Sequence, residues 1–168
     1  MPSVLTKWER IMEKVEWQDA YCIDVEEVDV QHRKLLSIIN EFFDVATGHP
    51  ADYPIKVGRC LKKLADYTHY HFASEEVLME QYQFPGMSQH KEEHENFIDQ
   101  LSAKVPQIAS GNQAMGQELY QFLLDWIVNH IAHSDKLWAE HVRSIQQSPE
   151  EQTRIHRRPG AIPFFSKH

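Results

Sequence analysis

A chain of 168 residues with 42% apolar side chains has the length for one domain with a substantial core. A formal charge of −8 speaks against nucleic acid as a partner, since phosphate binding rests on clustered Lys and Arg. No apolar run reaches the ~20 residues that span a bilayer.

Near the start, Lys7, Glu9, Arg10, Glu13 and Lys14 interrupt any leader-like apolar stretch, so the expected compartment is the cytoplasm. Cys22 and Cys60 lie far apart, match no zinc spacing and read as reduced. Val4, Leu5, Trp8, Ile11, Met12 and Val15 recur at helical spacing, which predicts an amphipathic helix over 3–16. Its stripe needs cover from the same domain, from a second copy or from a protein partner. Residues 17–27 carry no such stripe and are expected to run as an extended arm.

Val28, His32, Leu35, Leu36, Ile39, Phe42, Phe43 and Ala46 form one face of a helix over about 28–47, stopped by Gly48 and Pro50. A second helix, about 53–83, opens at Tyr53-Pro54, where proline fits a first turn. Its inward face reads Leu61, Leu64, Ala65, Thr68, His71, Phe72, Glu75, Leu78, Met79 and Tyr82. A third, about 88–110, aligns His90, His94, Phe97, Ile98, Leu101, Val105 and Ile108, with Pro106 expected to kink or loosen its last turns. A fourth, about 113–146, carries Leu119, Phe122, Leu123, Trp126, Ile127, His130, Ile131, Leu137, Trp138 and His141. The domain is expected to cover 1–147 and a tail 148–168, in which Ile162, Phe164 and Phe165 are apolar enough to pin its end to the domain or to a partner. Four long helices, short loops and no strand pattern predict an all-α fold. Its form is an antiparallel up-down-up-down four-helix bundle, with an extra short N-terminal helix and a C-terminal tail.

Eleven histidines are many for this length and hint at metal. Residues four apart on a helix share a face, so His71 with Glu75, and His90 with His94, each aim two side chains at one point. His32 upstream, and His130 with Asp135 downstream, bring candidates from all four helices. A lone histidine on an apolar face is ordinarily a hydrogen-bonded core residue. A carboxylate such as Glu75 on a buried stripe is different, because its burial is costly unless something positive meets it. Five imidazoles and two carboxylates exceed what one tetrahedral zinc accepts. Mixed nitrogen and oxygen donors without thiolate suit a pair of octahedral irons, with the carboxylates as bridges.

One spacing resists. His130 and Asp135 are five apart, which on a regular helix separates them by roughly 140°. Either His133 is the ligand and Asp135 a solvated surface acid, or the helix widens by a π-bulge between 130 and 135; the second is expected.

Trp17, the Asp29-Val30-Gln31-His32 run, His71-Phe72-Ala73-Ser74-Glu75-Glu76, His90 through His94, and Trp126-Ile127-Val128-Asn129-His130 followed by Asp135 together resemble the hemerythrin family, specifically the bacterial hemerythrins, or bacteriohemerythrins. The resemblance spans about residues 17–138 and fills every ligand position of the pattern. It implies a non-heme di-iron centre with an oxo or hydroxo bridge. His90, His94 and His130 would bind one iron, His32 and His71 the other, and Glu75 and Asp135 would bridge both, which favours Asp135 over His133. His49, His69, His133, His141, His156 and His168 fall outside the pattern. The resemblance further implies that dioxygen binds reversibly, as a hydroperoxide, at the open position of the five-coordinate iron. Leu35, Phe72, Trp126, Ile127 and Ile131 would line the oxygen pocket; as ordinary residues they would be plain core.

The leading expectation is an oxygen-binding protein for storage, delivery or sensing rather than an enzyme. Its rival is a di-iron enzyme with oxidase, peroxidase or nitric-oxide-related activity, for which nitric oxide or peroxide would be the partner. Neutral imidazoles do less than carboxylates to stabilise high-valent iron, which favours binding. A third reading is an interaction module switched by iron, with the N-terminal helix or the tail meeting a protein partner.

Overall fold

The computed structural model describes residues 13–48, 53–109 and 113–147. Its helices are α1 (Glu26–Ala46), α2 (Tyr53–Gln81), α3 (Met87–Ala109), α4 (Gln113–Asn129) and α5 (Lys136–Gln146). α4 and α5 are joined without a break by a π-helical stretch, His130–Asp135, so the two make one rod. α1 packs on α2 and α4, α2 on α3, and α3 on α4, which closes a four-rod ring. Among the described residues there is no strand, and no helix is long and apolar enough to cross a membrane.

The arm before α1 is anchored at both ends. Val15 exchanges two hydrogen bonds with the Asn40 side chain, 2.9 Å from its N–H and 2.8 Å to its carbonyl. Residues 13–16 are not helical, so the expected helix over 3–16 does not reach them; its remainder lies outside the described residues, as do 148–168. Further on, Tyr21, Ile23 and Val25 are buried, and Arg33 of α1 sits 4.3 Å over the Trp17 ring. The chain then turns at Asp24, whose φ of 61° is left-handed, a region that Asp tolerates better than most residues. Asp29 fixes the turn by accepting the Ile23 N–H at 2.9 Å, and Glu26, Glu27 and Asp29 place negative charge at the positive end of α1.

α2 ends in a reciprocal cap. Gln83 takes φ 52°, the Phe84 N–H donates to Met79 O at 2.9 Å and the Gln83 N–H to Glu80 O at 3.1 Å, the pattern that ordinarily places glycine at the left-handed position. The stop therefore precedes Pro85, two residues earlier than the sequence reading. Pro106 remains within α3, which continues to Ala109.

The core between the rods holds Phe42, Tyr53, Tyr120 and Trp138, all essentially without solvent contact. Gly116 lets α4 approach α2, because a Cβ there would lie 3.2 Å from Cζ of the buried Tyr53 ring and nearer still to its hydroxyl. Leu137 departs from its expected place on the inward face: it is 61% exposed, while Trp138, Ala139 and Val142 are buried. The π stretch rotates the phase of α5, so a stripe extrapolated from α4 by regular helical spacing is misplaced beyond it.

Candidate metal centre

The seven donors expected from the sequence converge toward the end of the bundle where α1 and α3 begin and α2 ends. α1 supplies His32, α2 supplies His71 and Glu75, α3 supplies His90 and His94, and the fourth rod supplies His130 and Asp135; all are buried. Two donor groups stand out. Glu75, His90, His94 and His130 make one, and His32, His71, Glu75 and Asp135 make the other, with ligand atoms in each within 4.8 Å of one another.

The two carboxylates face both groups. Glu75 Oε1 lies 3.6 Å from His32 Nε2 and 3.5 Å from His71 Nε2, whereas Oε2 lies 3.6 Å from His90 Nε2 and 3.2 Å from His94 Nε2. Asp135 does the same: Oδ2 is 3.1 Å from His32 Nε2, and Oδ1 is 3.4 Å from His90 Nε2 and 3.1 Å from His130 Nε2. Each carboxylate therefore spans a three-histidine side and a two-histidine side. His94 and His130 point their Nε2 atoms at each other across 3.1 Å. For metal–nitrogen bonds of about 2.1 Å, donors at right angles around one ion would stand about 3 Å apart, so this edge has the size of a shared ion.

The polar atoms here lack the partners that burial demands. Both Glu75 oxygens, both Asp135 oxygens and Nε2 of His32, His71 and His90 have no hydrogen-bond partner among the described residues. Burial alone would neutralise both acids, but His71, then His32, His90 and His94, hold the Glu75 carboxyl well below its usual range. For Asp135, burial and the Glu75 charge push upward, and His130 and His32 outweigh them to bring it to about 2. Burial also presses on the His32 imidazolium, yet the adjacent Asp135 and Glu75 carboxylates prevail and raise it to about 9. At His71 burial wins over the Glu75 charge, and the pKa falls to about 4. Two anions in a dry space ringed by nitrogen lone pairs are the donor set of a cation site.

The π stretch separates the two alternatives in space. Asp135 is fully buried, whereas His133 is exposed and bonded through Nδ1 to Asn129 O at 2.9 Å. His69 is also exposed, and His141 bonds to Tyr82 O at 2.9 Å. His49, His156 and His168 lie outside the described residues.

Outer partners of the imidazoles were not among the expected site residues. His71 Nδ1 meets Gln31 Oε1 at 2.9 Å, His130 Nδ1 lies 3.2 Å from Glu93, and His94 Nδ1 lies 3.5 Å from Glu76. Adjacency was the available signal, since Gln31 and Glu93 each neighbour a histidine in sequence and a ligating imidazole commonly has such a partner.

Leu35, Phe72, Trp126 and Ile127 line one enclosed cavity with about 10 Å³ of free space, together with Ile39, Leu64, Thr68, Phe97 and Leu123. Ile131 is fully buried but is not part of that wall. Phe72 stacks on His94 with ring centres 3.6 Å apart, and Trp126 on His130 at 4.3 Å, so apolar rings cover the three-histidine side.

These features agree with comparison to known proteins. Residues 24–142 match the model of the hemerythrin HHE cation binding domain. A bacteriohemerythrin of Stenotrophomonas maltophilia is 32% identical over 128 residues, covering 76% of this chain and 81% of that protein. A hemerythrin-like protein of Naegleria gruberi is 32% identical over 119 residues, covering 71% of this chain and 86% of its own length. The crystal structure of a wild-type hemerythrin superposes with a TM-score of 0.64 at 29% identity, covering 77% of this chain and 98% of that one. The chain belongs to the hemerythrin family.

Proposed function

We propose that His90, His94 and His130 hold one iron ion, that His32 and His71 hold a second, that Glu75 and Asp135 bridge the pair, and that the centre binds dioxygen reversibly. The observation that carries this reading is the division of each carboxylate's two oxygens between the two histidine groups. Only a pair of cations uses all four oxygens at once. The unequal histidine count supports one position with a vacancy for a small ligand. When bound, the iron pair supplies two reducing equivalents and that vacancy.

The chain's own residues do the rest. Gln31 accepts from Nδ1 of His71, and the Glu93 carboxylate lies 3.2 Å from Nδ1 of His130, which favours each Nε2 lone pair facing the centre. Leu35, Phe72, Trp126 and Ile127 wall a space of about one small molecule and keep water out of it. Apolar walls bring no acid to a bound oxygen species, and so favour release over cleavage. That supports a carrier or sensor over an oxidase.

Reducing the iron-loaded protein, admitting oxygen and then applying vacuum tests the reading. A charge-transfer absorption that appears with oxygen and vanishes under vacuum is expected. Steady oxygen consumption with excess reductant, with no reversible band, would replace the carrier with an enzyme.

A further inference from the structure

The imidazoles on the two sides of the centre are backed by different charges. On the three-histidine side, His130 Nδ1 lies 3.2 Å from the Glu93 carboxylate and His94 Nδ1 lies 3.5 Å from Glu76. On the two-histidine side, His71 meets the neutral amide oxygen of Gln31 at 2.9 Å; the Nδ1 atoms of His32 and His94 both lack a hydrogen-bond partner among the described residues, so the contrast rests on Glu93 against Gln31. Both acids are held in place. Ser134, on the π stretch, donates its hydroxyl to Glu93, and Lys91 pairs with Glu76 at 3.0 Å. A carboxylate that accepts an imidazole N–H makes the opposite nitrogen a stronger donor than an amide oxygen does, because the acceptor carries a full charge.

Resting on the two-iron reading above, we propose that Glu93, with Glu76 beside it, is a positioning residue that makes the two metal positions electronically unequal. The three-histidine position favours the ferric state, and an electron added to the diferric centre settles on the two-histidine position. With dithionite as donor, that step adds one electron, converts one ferric ion to ferrous and moves no atom. Glu93 acts through His130, and its tether to Ser134 couples this bias to the same widened turn that delivers Asp135.

Iron content and a potentiometric titration of the full chain test this. Fewer than two irons per wild-type chain would remove the two-iron reading and the proposal with it. With two irons bound, Glu93→Gln keeps an acceptor oxygen but drops the charge, and is expected to raise the midpoint potential of the second electron, which enters the three-histidine position; Glu93→Asp should return it toward the wild-type value. Gln31→Glu puts charge on the opposite side and is expected to lower the midpoint potential of the first electron. It should also change the paramagnetic resonance signal of the half-reduced protein as the two positions become alike. A purely structural role would alter iron content, or move both variants in one direction. Unchanged potentials in fully loaded Glu93→Gln and Gln31→Glu proteins overturn the proposal. Should Glu93→Gln fail to hold two irons, Gln31→Glu alone decides, since an unmoved potential there has the same meaning.

Discussion

His130 and Asp135 stand five residues apart in the chain, yet His130 Nε2 lies 3.1 Å from Asp135 Oδ1. A regular helix would turn them roughly 140° apart; the π-helical stretch brings them together and leaves His133 outside. Asp135→Asn, which keeps the shape but loses the charge, is therefore expected to bind fewer than two irons per chain. His133→Ala should bind the full complement. Metal analysis after loading with ferrous salt checks both, and the reverse pattern would reassign the ligand.

Glu75 has no exposed surface and faces four imidazoles. Loss of a partner outside the ligands typically costs about 10–100-fold in metal affinity, and loss of a bridging ligand should cost more. Glu75→Ala is expected to lose the metal pair and much helix content, followed by iron analysis and circular dichroism. A dimetal centre that survives intact would show that Glu75 is not a bridge.

Ile127 is 4% exposed and lines the small cavity with Leu35 and Phe72. Ile127→Thr brings a hydroxyl to that wall at a cost of about 1–3 kcal/mol in stability. Conversion of the oxygenated form to the inert diferric form should be faster, read as the decay of the charge-transfer band. An unaltered decay rate would mean that this wall does not protect the oxygen.

Without metal, two histidines pull stability in opposite directions with pH. His32 is raised from 6.5 to about 9, so the stability it contributes is full below 6.5 and is lost as pH rises through 9. His71 is lowered from 6.5 to about 4; the unfolded chain takes the proton first, and stability falls as pH drops from 6.5 toward 4. Glu75 and Asp135, both depressed, steepen the acid side. The metal-free protein should melt highest near pH 6.5 and lower by roughly 5–10 °C toward pH 9. Iron loading removes the alkaline decline, because a ligating His32 has already given up its proton. Equal alkaline declines with and without iron, measured by thermal scans, would contradict this.

Gly116 admits the Tyr53 ring, which is 1% exposed. Gly116→Ala should destabilise the fold by about 1–3 kcal/mol despite alanine's better helix propensity, seen as a lower denaturation midpoint. A midpoint equal to or above the wild type would show that the contact yields.

Much of the site was legible because it rests on spacing within single helices. His71 with Glu75 and His90 with His94 follow from the helical repeat, and even the π stretch was implied by the conflict between His130 and Asp135. Relationships across helices were not legible. Nothing in sequence spacing places Glu93 beside His130, Gln31 beside His71, or Leu64 and Leu123 on the wall of one cavity, because these depend on how the rods rotate against one another. Leu137 failed for a related reason: once the turn widens, the periodic stripe restarts with a new phase. The cap at Gln83 also escaped, since the left-handed position there is filled without glycine.

The donors are drawn from all four rods, so an ion pair seated among them would cross-brace the whole bundle. Whatever binds the folded chain and not the unfolded one shifts the balance by mass action, which here ties endurance to metal supply. In a cell starved of that metal, more of this chain would sit unfolded within reach of proteases, and its abundance would fall with the supply.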